Sequence, residues 1–355
     1  MNKRLAVIAI TKNGISIANK IKRAILDADI FVPVKFKSTE QDINWFEENT
    51  SNKIGDLFKS YRYLICIFSL GAVIRIISPH LKDKKTDPAV LVIDDRANFV
   101  ISVLSGHLGG ANELTKQIAQ ILQSVPVITT AADVNDTISV DLIGREFGWV
   151  IENPENITRI SAMMVNEETI GLYQDAGESN WLKLSKIPEN VIKTNNLETL
   201  EDERYRGGLI ITDKKINNKK IIEKSVVYRP KNLVVGIGLH WDTSMETIES
   251  GIKAVFENFG LDIKCIRNIA SIDKEKKIKG LQQLSEKSSI PIETFEKKDL
   301  LHILVPNPSD IVKKYEGTAS VSEAASLISS SGNLIVPKQK FPPNLTVAVA
   351  KVNYQ

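Results

Sequence analysis

The chain has 355 residues, 43% hydrophobic and 25% charged, a composition that excludes a disordered chain, a collagen-like fibre and a small disulfide scaffold. Its 46 lysines and arginines against 43 aspartates and glutamates lack the basic excess of a duplex-binding protein, so we expect no nucleic-acid partner. No stretch reaches the ~20 apolar residues that cross a bilayer, and the 4 histidines and 2 cysteines lack zinc-ligand spacing. We therefore expect a cytoplasmic protein with free thiols, no membrane association and no metal bound by its own side chains.

The first part of the sequence alternates short apolar runs with helical patterns, as the chain of an open α/β sheet does. The run at 63–69 is apolar at nearly every position, which is typical of a strand covered on both faces. The predicted strands are 5–11, 30–34, 63–69, 89–94, 99–103 and 125–129, and the predicted helices are 15–26, 53–59, 71–78 and 110–122. We predict an N-terminal α/β domain over residues 1–134.

The periodic signal weakens over residues 135–229, which we interpret as a small α+β middle region. Its predicted helices are 140–147 and 156–165, its predicted strands are 169–173, 209–212 and 225–228, and its lysine-rich stretch 213–220 is predicted to be a hairpin loop or solvated turn. Alternation returns with a strand at 233–237 and a helix at 243–259, followed by further elements that include a short apolar run at 303–305. We predict a separate C-terminal α/β domain over 231–355, with Arg229-Pro230 as a hinge before it.

The segment from Ser105 to Glu113, Ser-Gly-His-Leu-Gly-Gly-Ala-Asn-Glu, follows an apolar strand and opens a helix. Its glycines let the backbone approach a ligand, and the first amides of a helix are unpaired donors, so a carboxylate or phosphate could bind here. His107 would lie beside that ligand, and the unperturbed pKa of an imidazole, near ~6.5, suits proton transfer. The alternative is a tight strand-to-helix turn whose histidine binds a backbone carbonyl.

A second candidate segment precedes the strand that begins near residue 89. Arg75 lies on the preceding predicted helix, and Lys84 and Asp87 follow it. Asp87 comes directly before a proline, which holds the backbone extended at the start of the strand. The segment is equally typical of a charged surface turn.

A third candidate segment, Thr129-Thr130-Ala131-Ala132-Asp133, comes just after an apolar strand. In an open α/β sheet, residues outside the carboxyl ends of the strands line the ligand crevice. Asp133 could therefore orient His107 or act as a base, and it could equally cap the segment that follows.

The C-terminal domain offers weaker signals. Gly236-Ile237-Gly238 is predicted to be a glycine turn, but it lacks the third glycine of a dinucleotide fingerprint. Ser320 is predicted to be the N-cap of a helix, with Glu323 as its capping-box partner. Lys338 follows an apolar run and could meet an acidic group, although a solvated lysine is the commoner case.

Taken together and in order, these segments resemble the cobalt-precorrin-5A hydrolase (CbiG) family along nearly the whole chain. The Ser-Gly-His-Leu-Gly-Gly-Ala-Asn segment is the most specific part of the resemblance. The family acts in the anaerobic branch of cobalamin synthesis, so the resemblance implies that the substrate is a cobalt-containing contracted tetrapyrrole with a δ-lactone on ring A. Opening the lactone releases acetaldehyde and gives cobalt-precorrin-5B, a C–C bond hydrolysis. Cobalt would arrive with the substrate, so no cofactor is expected, and neighbouring enzymes of the pathway are expected partners.

The resemblance and the chemistry of the residues together imply roles in the site. His107 would activate water, with the amides of Gly109 and Gly110 stabilising the oxyanion. A later proton could be removed by His107, Asp133 or Asp87, and the sequence does not choose among them. The substrate is rich in carboxylates, and the residues expected to bind it are Arg75, Lys84, Ser105, Gly106, Gly109, Gly110, Asn112, Glu113, Thr129, Thr130 and Lys338.

The sequence departs from the family pattern at two places. Leu239-His240-Trp241-Asp242 stands where the family often has a basic, glycine-containing run, and Ala132 stands where it has a threonine. A competing hypothesis is a non-catalytic carrier of an anionic macrocycle, in which His107 donates a hydrogen bond or ligates the cobalt. A nucleotide-binding domain would rest on the glycines at 106–110 alone. Release of acetaldehyde would distinguish the enzyme from the carrier.

Overall fold

The computed structural model describes residues 5–39, 42–83, 86–131, 137–184, 187–274, 278–309 and 318–354. The chain folds into two compact units, Met1–Leu142 and Ile143–Gln355. The predicted fold class, α/β with parallel-rich sheets, is confirmed, whereas the predicted domain boundaries stay a prediction. Among the helices in the described ranges, none is both long and apolar enough to cross a membrane. Cys66 and Cys265 are buried free thiols, and burial raises the pKa of each.

The first unit contains one seven-stranded sheet with helices on both faces. Its strands are β1 (Leu5–Ala9), β2 (Ala28–Pro33), β3 (Ile43–Phe46), β4 (Tyr63–Ile67), β5 (Ala89–Ile93), β6 (Phe99–Leu104) and β7 (Val125–Val127), in the order β3-β2-β1-β4-β5-β6-β7. Its helices are α1 (Lys12–Ala24), α2 (Thr50–Ser60), α3 (Leu70–Ile77) and α4 (Ala111–Leu122). α1 and α4 cover one face and α2 and α3 the other, which explains why β1 and β5 are buried at every position.

Strand direction decides where the candidate segments meet. β1 to β5 are parallel, β6 runs antiparallel to β5, and β7 is parallel to β6. Leu104 at the end of β6 pairs with Val90 at the start of β5. The residues that follow β6 and β7 therefore lie at the sheet edge where β5 begins, together with Asp87. This edge is opposite the one formed by the carboxyl ends of the parallel strands, where such sheets commonly bind ligands.

The second unit contains two five-stranded sheets. The first, in the order β10-β9-β11-β12-β8, consists of β8 (Val150–Ile151), β9 (Ile170–Gln174), β10 (Val191–Thr194), β11 (Gly207–Ile211) and β12 (Ser225–Arg229). The second, in the order β15-β14-β13-β17-β16, consists of β13 (Leu233–Leu239), β14 (Ile266–Ile272), β15 (Ile292–Phe295), β16 (Asn333–Phe341) and β17 (Leu345–Lys351). The helices of this unit include Ile157–Val165, Lys219–Glu223, Met245–Asn258, Lys279–Ser288, Lys297–Leu301 and Val321–Ser330.

Three predictions for the second unit are wrong. β11 and β12 are parallel, so the segment between them crosses over through the helix Lys219–Glu223 and forms no hairpin. The predicted helix at 140–147 contains a single 3₁₀ turn, Arg145–Phe147, because glycines with positive φ flank it on both sides. The run at 303–305 lies outside the strands.

The predicted hinge at Arg229-Pro230 is also wrong, because Arg229 is buried and fully engaged. Its guanidinium contacts Glu152 at 2.7 Å and Asp262 at 3.3 Å, and it donates to the carbonyl of Thr212 at 3.1 Å. Lys351 of β17 pairs with Asp213 at 2.7 Å across the same boundary. A buried guanidinium bonded to groups before and after it holds the two sheets of the second unit together.

Candidate functional site

The segment after β6 folds into a tight turn that uses most of its own donors. The N–H of Gly110 donates to the carbonyl of His107 at 3.1 Å, and the N–H of Ala111 donates to the carbonyl of Ser105 at 3.2 Å. Gly110 has a φ of 88°, the left-handed region that glycine adopts most easily. The expectation that Gly110 offers its amide to an oxyanion therefore fails in this conformation. The N–H of Gly109 keeps that capacity, since it has no acceptor among the described residues.

Ser105 adopts a left-handed backbone conformation although it is not glycine. Its φ is 56°, and its Oγ donates to the carbonyl of Asp87 at 3.0 Å. A left-handed residue with a side chain costs roughly 1–2 kcal/mol, so it persists only where its surroundings hold it. The bond that Ser105 donates to Asp87 and the bond that it accepts from Ala111 do so here, and they fix the orientation of the turn that carries His107.

Asn112 joins three elements of the site. It is 4% exposed, its Oδ1 accepts from Ser102 Oγ of β6 at 2.7 Å, and its Nδ2 donates to Thr130 Oγ1 at 3.0 Å. Its own N–H donates to the carbonyl of Gly106 at 3.0 Å. These contacts bring together three residues predicted for one site, Gly106, Asn112 and Thr130, and they give Asn112 a positioning role. Direct contact between Asn112 and substrate stays a prediction.

His107 faces a carboxylate that the sequence analysis did not single out. Its Nδ1 lies 3.7 Å from Oδ1 of Asp141, and the two side chains are 19% and 18% exposed. The distance is too long for a hydrogen bond but within ion-pairing range. An imidazole placed this way can take a proton while the carboxylate stabilises the imidazolium that forms. The signal in the sequence is a lone acid in the apolar stretch Ile138–Ile143.

Asp87, predicted as a base, has a structural task in its own turn. Its carboxylate accepts from the N–H of Lys82 at 3.0 and 3.2 Å, and its N–H donates to the carbonyl of Asp83. These bonds close the turn before β5, while the Asp87 carbonyl receives Ser105. Asp87 therefore holds the turn before β5 and accepts the hydrogen bond of Ser105. Its catalytic role stays a prediction.

The remaining predicted residues of the first unit have varied positions. Arg75 is exposed in the last turn of α3, and Glu113 is exposed in the first turn of α4, where it accepts from Gln117 at 3.4 Å. Thr129 is exposed after β7. Asp133 and Lys84 lie outside the described residues. The described chain brings no three His, Cys, Asp or Glu side chains together as a metal site would require.

Two residues beside the turn were missed by the sequence analysis. A Cβ placed on Gly110 would lie 3.4 Å from the hydroxyl of Tyr63, which opens β4. The guanidinium of Arg62 stacks over the Tyr63 ring, 5.2 Å from its centroid. Together they provide a hydroxyl and a positive charge at the edge of the sheet where His107 lies. Neither residue stands out in the sequence because each belongs to the start of an apolar strand.

Gly236-Ile237-Gly238 lies inside β13, not in a turn after it. A Cβ on Gly236 would lie 1.9 Å from the carbonyl oxygen of Ser322 in the helix Val321–Ser330. The glycine is thus required by the close packing of this helix on the strand, and the predicted glycine turn is wrong.

The predicted capping box at the start of that helix is wrong. Ser320 is the N-cap residue but makes no side-chain cap bond, and Glu323 is fully buried. The Glu323 carboxylate instead accepts from the side-chain amide of Asn307 at 2.8 Å and from the N–H of Lys338 at 3.0 Å. Lys338 itself lies on β16 and lines a pocket of the second unit, near the ends of β13 and β14.

Family models match most of the chain. The model described as Cobalamin synthesis G N-terminal matches residues 52–133, and Cobalamin biosynthesis central region matches residues 138–230. Cobalamin synthesis G C-terminus matches residues 233–350. The first of these matches includes His107 and the turn that carries it.

Similar proteins carry matching names. Cobalt-precorrin-5A hydrolase of Priestia megaterium is 41% identical over 355 residues, which cover 98% of this chain and 95% of that protein. Cobalt-precorrin-5A hydrolase of Salmonella typhimurium strain LT2 is 30% identical over 333 residues, 93% of each chain. A crystal structure of a cobalamin biosynthesis protein G homologue from Sulfolobus solfataricus is 25% identical over 99% of each chain, with a TM-score of 0.38 that supports no structural argument. The resemblance found in the sequence is confirmed: the chain belongs to the cobalt-precorrin-5A hydrolase (CbiG) family.

Proposed function

We propose that this chain hydrolyses cobalt-precorrin-5A, opening the ring A δ-lactone and releasing acetaldehyde to give cobalt-precorrin-5B, with His107 as the general base. The observation that supports this assignment is the position of His107. It lies half-buried in a hydrogen-bonded turn, with Asp141 on one side and, in the same turn, the N–H of Gly109, which has no acceptor among the described residues. A base, a carboxylate partner and an oxyanion donor are the groups that ester hydrolysis needs.

In the first step, His107 takes a proton from water as the water oxygen attacks the lactone carbonyl. Negative charge develops on the carbonyl oxygen, and the N–H of Gly109 donates to it. Asp141 stabilises the imidazolium. Collapse of the tetrahedral intermediate breaks the acyl C–O bond, and the proton on His107 passes to the departing alkoxide. The products of this step are an alcohol on the two-carbon unit and a carboxylic acid, which releases its proton to solvent and becomes a carboxylate.

In the second step, removal of the alcohol proton breaks the C–C bond to the ring and releases acetaldehyde. The electron pair of that bond passes to the macrocycle, which then takes up a proton. We assign the alcohol proton to His107, which is neutral again after the first step. The Asp87 carboxylate already accepts from Lys82, so it is less suited to this task. Asp133 remains the second candidate.

Substrate carboxylates are expected to meet basic side chains, Arg75 and Arg62 among the described residues and Lys84 as predicted from the sequence. The hydroxyl of Thr129 and the carboxylate of Glu113 lie exposed on elements that flank the turn. We further propose that cobalt arrives in the substrate and no cofactor is bound. The protein would work in the cytoplasm, beside the enzymes that supply its tetrapyrrole and consume its product.

The test of this function is the stoichiometry of acetaldehyde release. The full chain is mixed with cobalt-precorrin-5A, and acetaldehyde is measured by coupled reduction with alcohol dehydrogenase and NADH. One acetaldehyde per tetrapyrrole, with a product mass lower by the two-carbon unit and higher by water, is expected. Tight binding of the substrate without acetaldehyde would overturn the hydrolase assignment in favour of a carrier.

A further inference from the structure

A second pocket lies in the second unit, at the edge of the β13–β17 sheet where β13 and β14 end. It has a volume of about 330 Å³ and is lined by Leu239, Ile272 and the turn 342–344 between β16 and β17. β13 and β14 are parallel, and helices pack on both faces of their sheet. Crevices outside the carboxyl ends of parallel strands are the places where open α/β sheets bind ligands.

The helix Val321–Ser330 begins at this pocket with its donors uncapped. Ser320, its N-cap residue, is 1% exposed and lines the pocket, and its Oγ has no hydrogen-bond partner among the described residues. A buried hydroxyl without a partner loses the hydrogen bonds that it would make with water, which is a cost unless a ligand provides them. The N-terminus of this ten-residue helix adds unpaired N–H groups and the positive end of the helix dipole.

The charges around the pocket favour an anion. Lys338 and Lys340 of β16 and Lys274 after β14 line it, and the described lining residues include no carboxylate. The nearest acid of the helix, Glu323, is held by Asn307 and by the backbone of Lys338. Burial lowers the pKa of Lys338, although Glu323 opposes this, and the charge of Lys340 lowers it further. A bound anion would relieve the repulsion between the two ammonium groups.

The size and lining of the pocket favour a carboxylate on a short aliphatic stem. A volume of about 330 Å³ is at the lower end for small-molecule sites, too small for a tetrapyrrole macrocycle but sufficient for one of its side arms. Leu239, Ile272 and Phe341 form apolar walls, while Ser320 and the lysines form the polar part.

We propose that this pocket is a carboxylate-binding site for an acid side arm of a tetrapyrrole, with the hydroxyl of Ser320 and the first amides of its helix as the donors. The proposal rests on the proposed function for the class of ligand, since acetate and propionate arms are carboxylates on short aliphatic stems. It adds a substrate contact in the second unit, and it gives Lys338, predicted from the sequence to bind substrate, a defined place.

The test uses the full chain and cobyrinic acid as a stable corrinoid with free carboxylates. Its binding is measured by calorimetric titration, and protection of the amides at 320–324 is measured by hydrogen–deuterium exchange. The heptamethyl ester of the same corrinoid serves as the probe without charge. The variants are Ser320→Ala and Lys340→Gln. Ser322→Ala is the matched control, because Ser322 is also a buried, unpartnered hydroxyl of this helix but does not line the pocket.

We expect the acid to protect the amides at 320–324 and the ester to leave them unchanged. Ser320→Ala and Lys340→Gln should each weaken the binding about tenfold, the typical loss for one charge-assisted contact. Ser322→Ala should bind as the wild type does, and neither serine variant should lower the thermal midpoint, since neither hydroxyl has a partner among the described residues.

Three results would overturn the proposal: no protection at 320–324 by the acid, equal protection by the ester, or equal weakening by Ser322→Ala. These outcomes are separate from the activity assay. If acetaldehyde is not released but the pocket binds the acid, the carboxylate site stands while the proposed reaction fails. If acetaldehyde is released but the acid gives no protection at the pocket, the proposed reaction stands while the carboxylate site fails.

Discussion

The glycine-rich segments of the two units look alike in the sequence and serve different physical needs. In the first unit, Gly110 has a φ of 88°, and the turn it closes leaves the N–H of Gly109 available. In the second, Gly236 lies inside β13 without a positive φ, and it makes room for the backbone of Ser322. A glycine required by conformation can shape a ligand loop, whereas a glycine required by packing marks where two elements touch.

The histidines near these segments differ in the same way. His107 and Asp141 are 3.7 Å apart and less than a fifth exposed, whereas His240 and Asp242 are 3.0 Å apart but 61% and 54% exposed. Water screens the charges of an exposed pair, so the interaction between His240 and Asp242 is weaker than that between His107 and Asp141, although its distance is shorter. Burial, more than distance, makes His107 the candidate base.

The largest expected effect is the loss of turnover in His107→Ala. If His107 is the general base, kcat for acetaldehyde release should fall about 10²–10⁴-fold, the usual contribution of positioned proton transfer. KM should change little, because the contacts that hold the carboxylates of the substrate remain. His302→Ala is the control, since His302 is exposed after the helix Lys297–Leu301.

The opposite pattern, a raised KM with a normal kcat, would show that His107 only binds the substrate. In that case the contrast between the two histidine–aspartate pairs would carry no catalytic meaning, and Asp133 would become the next candidate base.

The next largest effect is the loss of folding stability on replacing Gly110 or Gly236. The two positions should rank alanine and asparagine in opposite order. At Gly110, alanine should lower the free energy of unfolding by about 1–2 kcal/mol, and asparagine by less, because asparagine tolerates the left-handed region. At Gly236, alanine should cost about 1–3 kcal/mol through overpacking, and asparagine more, because it is larger. Denaturant unfolding of the four variants measures this order. The same order at both positions would remove the distinction between conformation and packing.

The order of elements in the first unit was predictable because its apolar runs are short, separate and buried. β4 and β5 appear in the sequence as unbroken apolar segments, and α4 begins within one residue of the prediction. Edge strands such as β3 and β10 have only four residues each, too few to show a clear period of two. The hinge at Arg229 failed for another reason: a lone arginine shows nothing of the two acids, Asp262 and Glu152, that meet it in the fold.

The site was predictable as a place but not as a set of contacts. The turn 105–110, Thr130 and Asp87 do meet, and they meet because β6 reverses direction after β5. The use of the Gly110 amide by His107 depends on the turn geometry, so it could not be foreseen from composition. Asp141 was missed because its stretch was predicted to be a helix.

Asp141→Asn should have a smaller effect than the loss of His107. The carboxylate touches no substrate in the proposed mechanism and only stabilises the imidazolium, so kcat should fall about tenfold, equal to about 1.4 kcal/mol. KM should stay unchanged, and Asp141→Glu should recover part of the rate because the charge returns. If the asparagine variant loses stability and KM in parallel, Asp141 is structural, and the two pairs no longer differ in function.

The smallest expected effect compares a buried charge pair with an exposed one through acid unfolding. For Glu152, burial raises the pKa, but the neighbouring charges of Arg229 and Lys264 outweigh it, so the pKa lies below its ordinary value of 4.5. A carboxyl with a lowered pKa stabilises the fold above that value and loses this contribution as the pH falls through the lowered pKa. Glu152→Gln should therefore be less stable than wild type by about 1 kcal/mol at pH 7, with the difference vanishing in strong acid.

Asp242→Asn, which removes the exposed partner of His240, should match the wild type at both pH values. Urea midpoints at pH 7 and pH 3 measure both variants, and equal behaviour of the two would show that burial does not set the strength of these pairs.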